Sequence, residues 1–264
     1  VDTVLTPTFI GGLPLAKARD LDFKINALIY GEPGTGKTRI IGSCDAVPEM
    51  RKVLIVDVDG GALTVREPFP DVEIVRVENF KQLQGVYNDL RAGGHGFHTV
   101  GIDTITEVQK YNMTDVMEEL KRRDPNRNEY VPDRREWGIS SEMVRRMIHA
   151  FKDLPVHTIF TAHVKDEEDS NTGIKTKRPD LPGKLARQIP GWFDLVVYMY
   201  ERETDKKNDK GEVVGKEVLR LWLTKNGGRT IVKDRTDQLP RIFKIEANEP
   251  TMAKVFPILR GQTQ

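Results

Sequence analysis

Short apolar runs alternating with stretches of helical rhythm set the frame of this chain. Ile25 to Tyr30, Val53 to Val58, Val72 to Val77, Phe97 to Ile102 and Val156 to Ala162 are too short for core helices and rich in β-branched residues, so each predicts a strand. The intervening segments repeat at helical spacing. Asn79 can cap a helix that runs through Leu83, Val86, Tyr87 and Leu90 and stops at Gly93-Gly94. Thr106 to Leu120 predicts a second, and Glu136 to Phe151 a third through Ile139, Met143, Met147 and Ile148, broken by Pro155. Strands alternating with helices imply an α/β fold with a mostly parallel central sheet flanked by helices on both faces.

The rhythm changes in the C-terminal third. Leu195 to Tyr200 and Val218 to Leu223 predict strands separated by the polar run Glu201 to Gly215, and Thr230 to Lys233 follows the turn Asn226-Gly227-Gly228. Antiparallel strands are therefore expected at one sheet edge. Residues 1–20, with Pro7, Gly11, Gly12 and Pro14, predict an irregular N-terminal arm, and residues 21–264 a single core domain.

At 264 residues the chain can bury a sizeable core. A net charge of +1 gives no global electrostatic footprint for nucleic acid, so any such surface must be local. The single Cys44 excludes an intramolecular disulfide and a cysteine metal cage, and predicts a small apolar residue in a reducing compartment. With neither a basic-then-apolar leader nor an apolar run near the roughly 20 residues of a membrane span, a cytoplasmic protein without membrane contact is expected.

Chemistry enters directly after the first apolar run. Gly31-Glu32-Pro33-Gly34-Thr35-Gly36-Lys37-Thr38 is a complete phosphate-binding loop, followed by Arg39 at the start of a predicted helix. Its glycines let backbone N–H groups turn toward phosphate oxygens, Lys37 can reach the β- and γ-phosphates, and Thr38 can offer a hydroxyl to Mg²⁺. The loop implies binding of a nucleoside triphosphate. A metal needs a second anchor, and Asp103, at the end of Thr99-Val100-Gly101-Ile102, supplies it unless it only caps the next helix. The following residue is Thr104, so no acid adjoins the metal aspartate. Asp57-Val58-Asp59-Gly60 ends the second strand; Asp59 is the candidate general base, with Asp57 one strand residue earlier and turn formation as the plainer role.

The order of phosphate loop, acid-ended strand, Ile102-Asp103-Thr104-Ile105-Thr106, a strand ending Thr161-Ala162-His163 and a C-terminal hairpin resembles the RecA/RadA recombinase core over roughly residues 22 to 236. It is similar in particular to compact phage ATP-binding proteins grouped as RecA-like single-strand annealing proteins, the fourth Sak class. That resemblance implies a Mg²⁺-dependent, DNA-stimulated ATPase acting on single-stranded DNA as a homo-oligomeric ring or filament, with a single-strand-binding protein as a further expected partner. It implies a γ-phosphate sensor at His163 and a charge contributed in trans by Lys225 or Arg229. The loops after the Asp103 and His163 strands would line the DNA path, through Arg122, Arg123, Arg127, Tyr130 and Trp137 in the first and Lys175, Lys177, Arg178, Lys184 and Arg187 in the second. Solvated charged faces are the plainer reading of both stretches. An AAA+-type loader or remodelling NTPase, suggested by the Pro33 spelling of the loop, and a non-catalytic nucleotide-gated binding module are the alternatives.

Overall fold

Strands buried on both sides still have a fixed register here, because successive side chains enter two different cores. In β3 (Asn26–Gly31), Leu28 and Tyr30 enter one core, Ala27 and Ile29 the other. In β4 (Val53–Asp57), Leu54 and Val56 separate from Val53 and Ile55 in the same way. The computed structural model describes residues 9–10, 12–14, 23–169, 172–182, 185–208, 211–225, 227–246 and 249–262. Most of the expected N-terminal arm lies outside these residues; within them β1 (Phe9–Ile10) and β2 (Leu13–Pro14) pair antiparallel.

The remaining strands are β5 (Glu73–Arg76), β6 (Thr99–Asp103), β7 (His157–Glu168), β8 (Lys175–Pro179), β9 (Leu195–Lys207), β10 (Val213–Leu223), β11 (Lys233–Asp234) and β12 (Ile242–Ile245). The helices are α1 (Lys37–Gly42), α2 (Phe80–Ala92), α3 (Ile105–Arg123), α4 (Arg134–Lys152), α5 (Leu185–Trp192) and α6 (Thr251–Leu259). The principal sheet runs β12-β10-β9-β3-β7-β6-β4-β5. From β9 to β5 all neighbours are parallel, while β10 and β12 add antiparallel strands at one edge, as the sequence predicts. Phe80 and Leu83 of α2, Val144 and Phe151 of α4 and Ile189 of α5 cover one face; Ile40 and Ile41 of α1 and Met252 and Phe256 of α6 cover the other. Among the described residues no helix is long and apolar enough to cross a membrane.

Local chemistry accounts for the helix boundaries. The Asn79 side chain accepts from the Gln82 N–H at 2.9 Å, and Asp133 and Glu136 form a reciprocal capping box at the start of α4. On the other face α1 sits close to β6, where a Cβ on Gly101 would lie 2.2 Å from Ile41 Cγ2.

Three expectations change. The polar run Glu201 to Gly215 is mostly strand, since β9 and β10 pair from Tyr198↔Leu223 out to Lys207↔Val213. The segment Lys165 to Arg187 is not a loop, because β7 continues past His163 to Glu168, turns back as β8, and leads to α5. Thr230 makes only an isolated bridge to Lys177, and the short strand lies at Lys233–Asp234.

Candidate active site

The parallel topology brings the C-terminal ends of β3, β4 and β6 beside His163 in the middle of β7 at one end of the sheet, next to the phosphate loop. Gly34 and Gly36 have φ of 81° and 99°, values a Cβ would strain, and they carry the chain from β3 into α1. Thr35 Oγ1 donates to the Glu32 carbonyl at 2.9 Å, while Glu32 and Pro33 are exposed on the loop. Lys37 Nζ donates to the Gly31 and Glu32 carbonyls at 3.0 and 2.9 Å. Burial lowers the pKa of this ammonium, opposed by the nearby charges of Asp103, Asp59 and Glu32.

Asp103 is the anionic centre opposite the loop. Its Oδ2 accepts from Thr38 Oγ1 at 2.6 Å and its Oδ1 from Thr161 Oγ1. Burial raises its pKa, against the hydrogen bonds from Thr161 and Thr38 and the charge of Lys37. The Asp103–Thr104 peptide is cis. The Gly61 backbone also approaches here: a Cβ on it would lie 3.3 Å from Thr38 Oγ1 and 3.4 Å from Asp103 Oδ2. A buried carboxylate, a neighbouring hydroxyl and a glycine that keeps side-chain atoms away suit a hard, oxygen-seeking cation such as Mg²⁺.

The two acids at the end of β4 and just beyond it have different surroundings. Asp57 is buried, its Oδ1 accepting from the Gly60 and Gly61 N–H groups at 2.7 and 3.2 Å and its Oδ2 lying 3.1 Å from Arg76. That carboxylate shapes the turn. Asp59 reaches the opening, 41% exposed, with Oδ2 3.5 Å from His163 Nε2. His163, partly buried, receives its position from both sides: its backbone N–H donates to Thr106 Oγ1 at 3.0 Å, and its carbonyl accepts from the Asp180 N–H at 2.8 Å.

Two features were not read from the sequence. Glu107, in the first turn of α3, lies beside Asp59 and His163, and one oxygen or nitrogen atom from each of the three falls within 4.8 Å of the others. Its place four residues beyond Asp103 is the only sequence signal for it. A cavity of about 30 Å³ adjoins the phosphate loop, lined by Thr35, Gly36, Arg39, Met199, Arg220 and Ile245 among others. Arg220 is held there by Glu201, Nε to Oε1 at 2.9 Å.

The proposed cation and DNA contacts divide into surface and structural residues. Arg229 is exposed, but Lys225 is tied to the Asp237 carboxylate and carbonyl at 2.7 and 3.1 Å. Arg122 and Arg123 are exposed and both pair with Glu119 on α3; Tyr130 and Trp137 are 84% and 40% exposed. Arg127 instead braces the start of α4, contacting Asp133 at 3.4 Å and Glu136 at 3.1 Å. On the β7–β8 hairpin, Lys175 pairs with Glu168 and Lys177 with Asp166, while exposed Arg187 reaches Glu167 at 3.5 Å. Arg178 departs from the expected DNA-facing role, because it is buried, donates to the Leu181 carbonyl at 2.6 Å and pairs with Glu167 at 3.2 Å. A guanidinium so enclosed holds the hairpin together instead of facing a phosphate backbone. Lys184 lies outside the described residues.

A family described as AAA domain, AAA_24, matches residues 24–236. No curated protein sequence matches the chain. Among solved structures, an ATPase from the type III secretion system of pathogenic bacteria matches with a TM-score of 0.43 and 12% identity, over 67% of this chain and 51% of that one. The chain thus spans about half the length of that protein.

Proposed function

Because the chain belongs to the AAA domain family AAA_24, we propose that it is a Mg²⁺-dependent ATPase whose turnover is coupled to single-stranded DNA, as in a phage-type recombination or annealing protein. The observation behind the ATPase reading is the convergence of Lys37, Thr38, Asp103 and Asp59 at one end of the sheet. The loop backbone and Lys37 hold the phosphates. Thr38 and Asp103 would hold Mg²⁺, which when bound neutralises charge on the phosphate oxygens. Asp59 takes the proton of the attacking water, a role open to it because Asp57 is occupied by the turn. His163, in contact with Asp59 and continuous with the β7–β8 hairpin, links the state of that carboxylate to the hairpin.

The DNA reading is supported by the connection between α3 and α4. Exposed Tyr130 and Trp137 interleave there with Arg122, Arg123, Arg134 and Arg135, the combination that stacks bases and neutralises phosphates. Exposed Arg229 is the cation best placed to serve a neighbouring subunit in a ring or filament. Phosphate release measured with Mg²⁺ and ATP, with and without single-stranded DNA, tests both parts. Chelation of Mg²⁺ should abolish turnover, DNA should raise it, and Tyr130→Ala should weaken DNA binding by about 1 to 3 kcal/mol. The other reading, an AAA+-type loader or remodelling NTPase, would replace the DNA reading if turnover ignored DNA and no binding occurred at low salt.

A further inference from the structure

Asp59, Glu107 and His163 reach one point from three separate elements: the turn after β4, the first turn of α3 and the middle of β7. Three atoms lying within 4.8 Å of one another all fall within about 2.8 Å of some common point, which is hydrogen-bond distance for a water molecule. Glu107 is fixed there. Its backbone N–H donates to Thr104 Oγ1 at 3.3 Å, directly after the Asp103 that anchors the cation site, and Lys110 Nζ donates to its Oε1 at 2.6 Å. The Lys110 ammonium on that carboxylate disfavours a second cation at the point and leaves a neutral molecule as the better occupant.

We propose that Glu107 is a catalytic residue that orients the attacking water together with Asp59 and His163. The proposal rests on the ATPase reading and on Asp59 as base. In the step, the water oxygen bonds to the γ-phosphorus as the bond from that phosphorus to the β,γ-bridging oxygen breaks, and its electron pair leaves with ADP. One water proton passes to the Asp59 carboxylate and then to the phosphate product. Glu107 accepts a hydrogen bond from the second O–H and so sets the angle of attack. The residue after Asp103 is Thr104, which carries no acid; Glu107, one helical turn further on, supplies a carboxylate beside that of Asp59.

The test uses the full chain and reads kcat by phosphate release, ATP affinity with a fluorescent ATP analogue, and Tm. Glu107→Gln, isosteric and unable to accept the same charge-assisted bond, should lower kcat about tenfold or more while affinity and Tm stay close to wild type. Glu107→Asp, which keeps the charge but withdraws the carboxylate, should also lower kcat. Wild-type kcat in both Glu107 variants would overturn the proposal, as would a loss of ATP affinity parallel to the loss of kcat. Nucleotide-free Mn²⁺ binding that disappears in Glu107→Gln would also overturn it, by making the cluster a cation site. If Asp59→Asn turns over normally while Glu107→Gln does not, the base assignment fails and the role of Glu107 stands.

Discussion

His157 shows how a single side chain can carry a pH dependence unrelated to catalysis. It begins β7, is buried, accepts from the Ile25 N–H through Nδ1 at 3.2 Å, and meets the Phe256 ring edge-on at 5.4 Å. Burial first, then the charges of His98 and Lys24, depress it from an ordinary 6.5 to about 4. Between these values the unfolded chain binds the proton and the folded chain does not, so stability rises with pH across that window. The contribution, about 3 kcal/mol at most, is fully present above pH 6.5 and is lost as pH falls toward 4. Urea midpoints at pH 7.5 and pH 5 should therefore differ less in His157→Gln than in the wild type. An equal drop in both proteins would assign the acid sensitivity to other groups. Position in sequence does not announce this residue, since the burial comes from α6, far along the chain.

At the scale of elements, α1 follows the phosphate loop and β6 carries Asp103, and their separation is set by the absence of a side chain at Gly101. A methyl group there would sit 2.2 Å from Ile41 Cγ2 and 2.9 Å from its Cδ1, so Gly101→Ala should push helix from sheet and cost about 1 to 3 kcal/mol. Because Thr38 and Asp103 lie on the two parts being separated, Mg²⁺-dependent ATP affinity should fall as well. Denaturation and nucleotide titration of one preparation would check both, and a stable variant with normal affinity would show that Ile41 repacks freely. The strands around this contact were legible in the sequence because apolar runs, the glycine loop and the Asn79 cap are local signals. The β7–β8 hairpin and the outer parts of β9 and β10 were not, because their strands are polar on the outside and set their charges in cross-strand pairs. Asp166 with Lys177, and Asp205 with Lys216, look like solvated polar stretches until the partner strand is in place. Glu107 was missed for a related reason, since its nearness to Asp59 depends on β6 and β4 being neighbours in the sheet.

For the whole molecule, the exposed Arg229 and the buried Lys37 give contrasting expectations for assembly. If Arg229 serves a neighbour's nucleotide, subunits carrying Arg229→Ala and subunits carrying Lys37→Ala, each inactive alone, should recover part of the ATPase activity when mixed. Verified co-assembly without recovery at any ratio would confine Arg229 to its own subunit. The β9–β10 ribbon adds a mechanical side to the architecture. Its last lateral support lies at Met199, paired with Gly31, and at Arg220, paired with Ile245 on β12, the same two residues that line the cavity beside the phosphate loop. Beyond them, among the described residues, Tyr200 to Lys207 have β10 as their one strand partner, roughly 25 Å at strand rise. The ribbon thus stands on the wall of the cavity beside the phosphate loop as a lever stands on its fulcrum. A tilt of about 6° at that wall would carry the tip some 2.5 Å over a strand of this length, so small changes around a nucleotide would be read out as large ones at the far end of the arm.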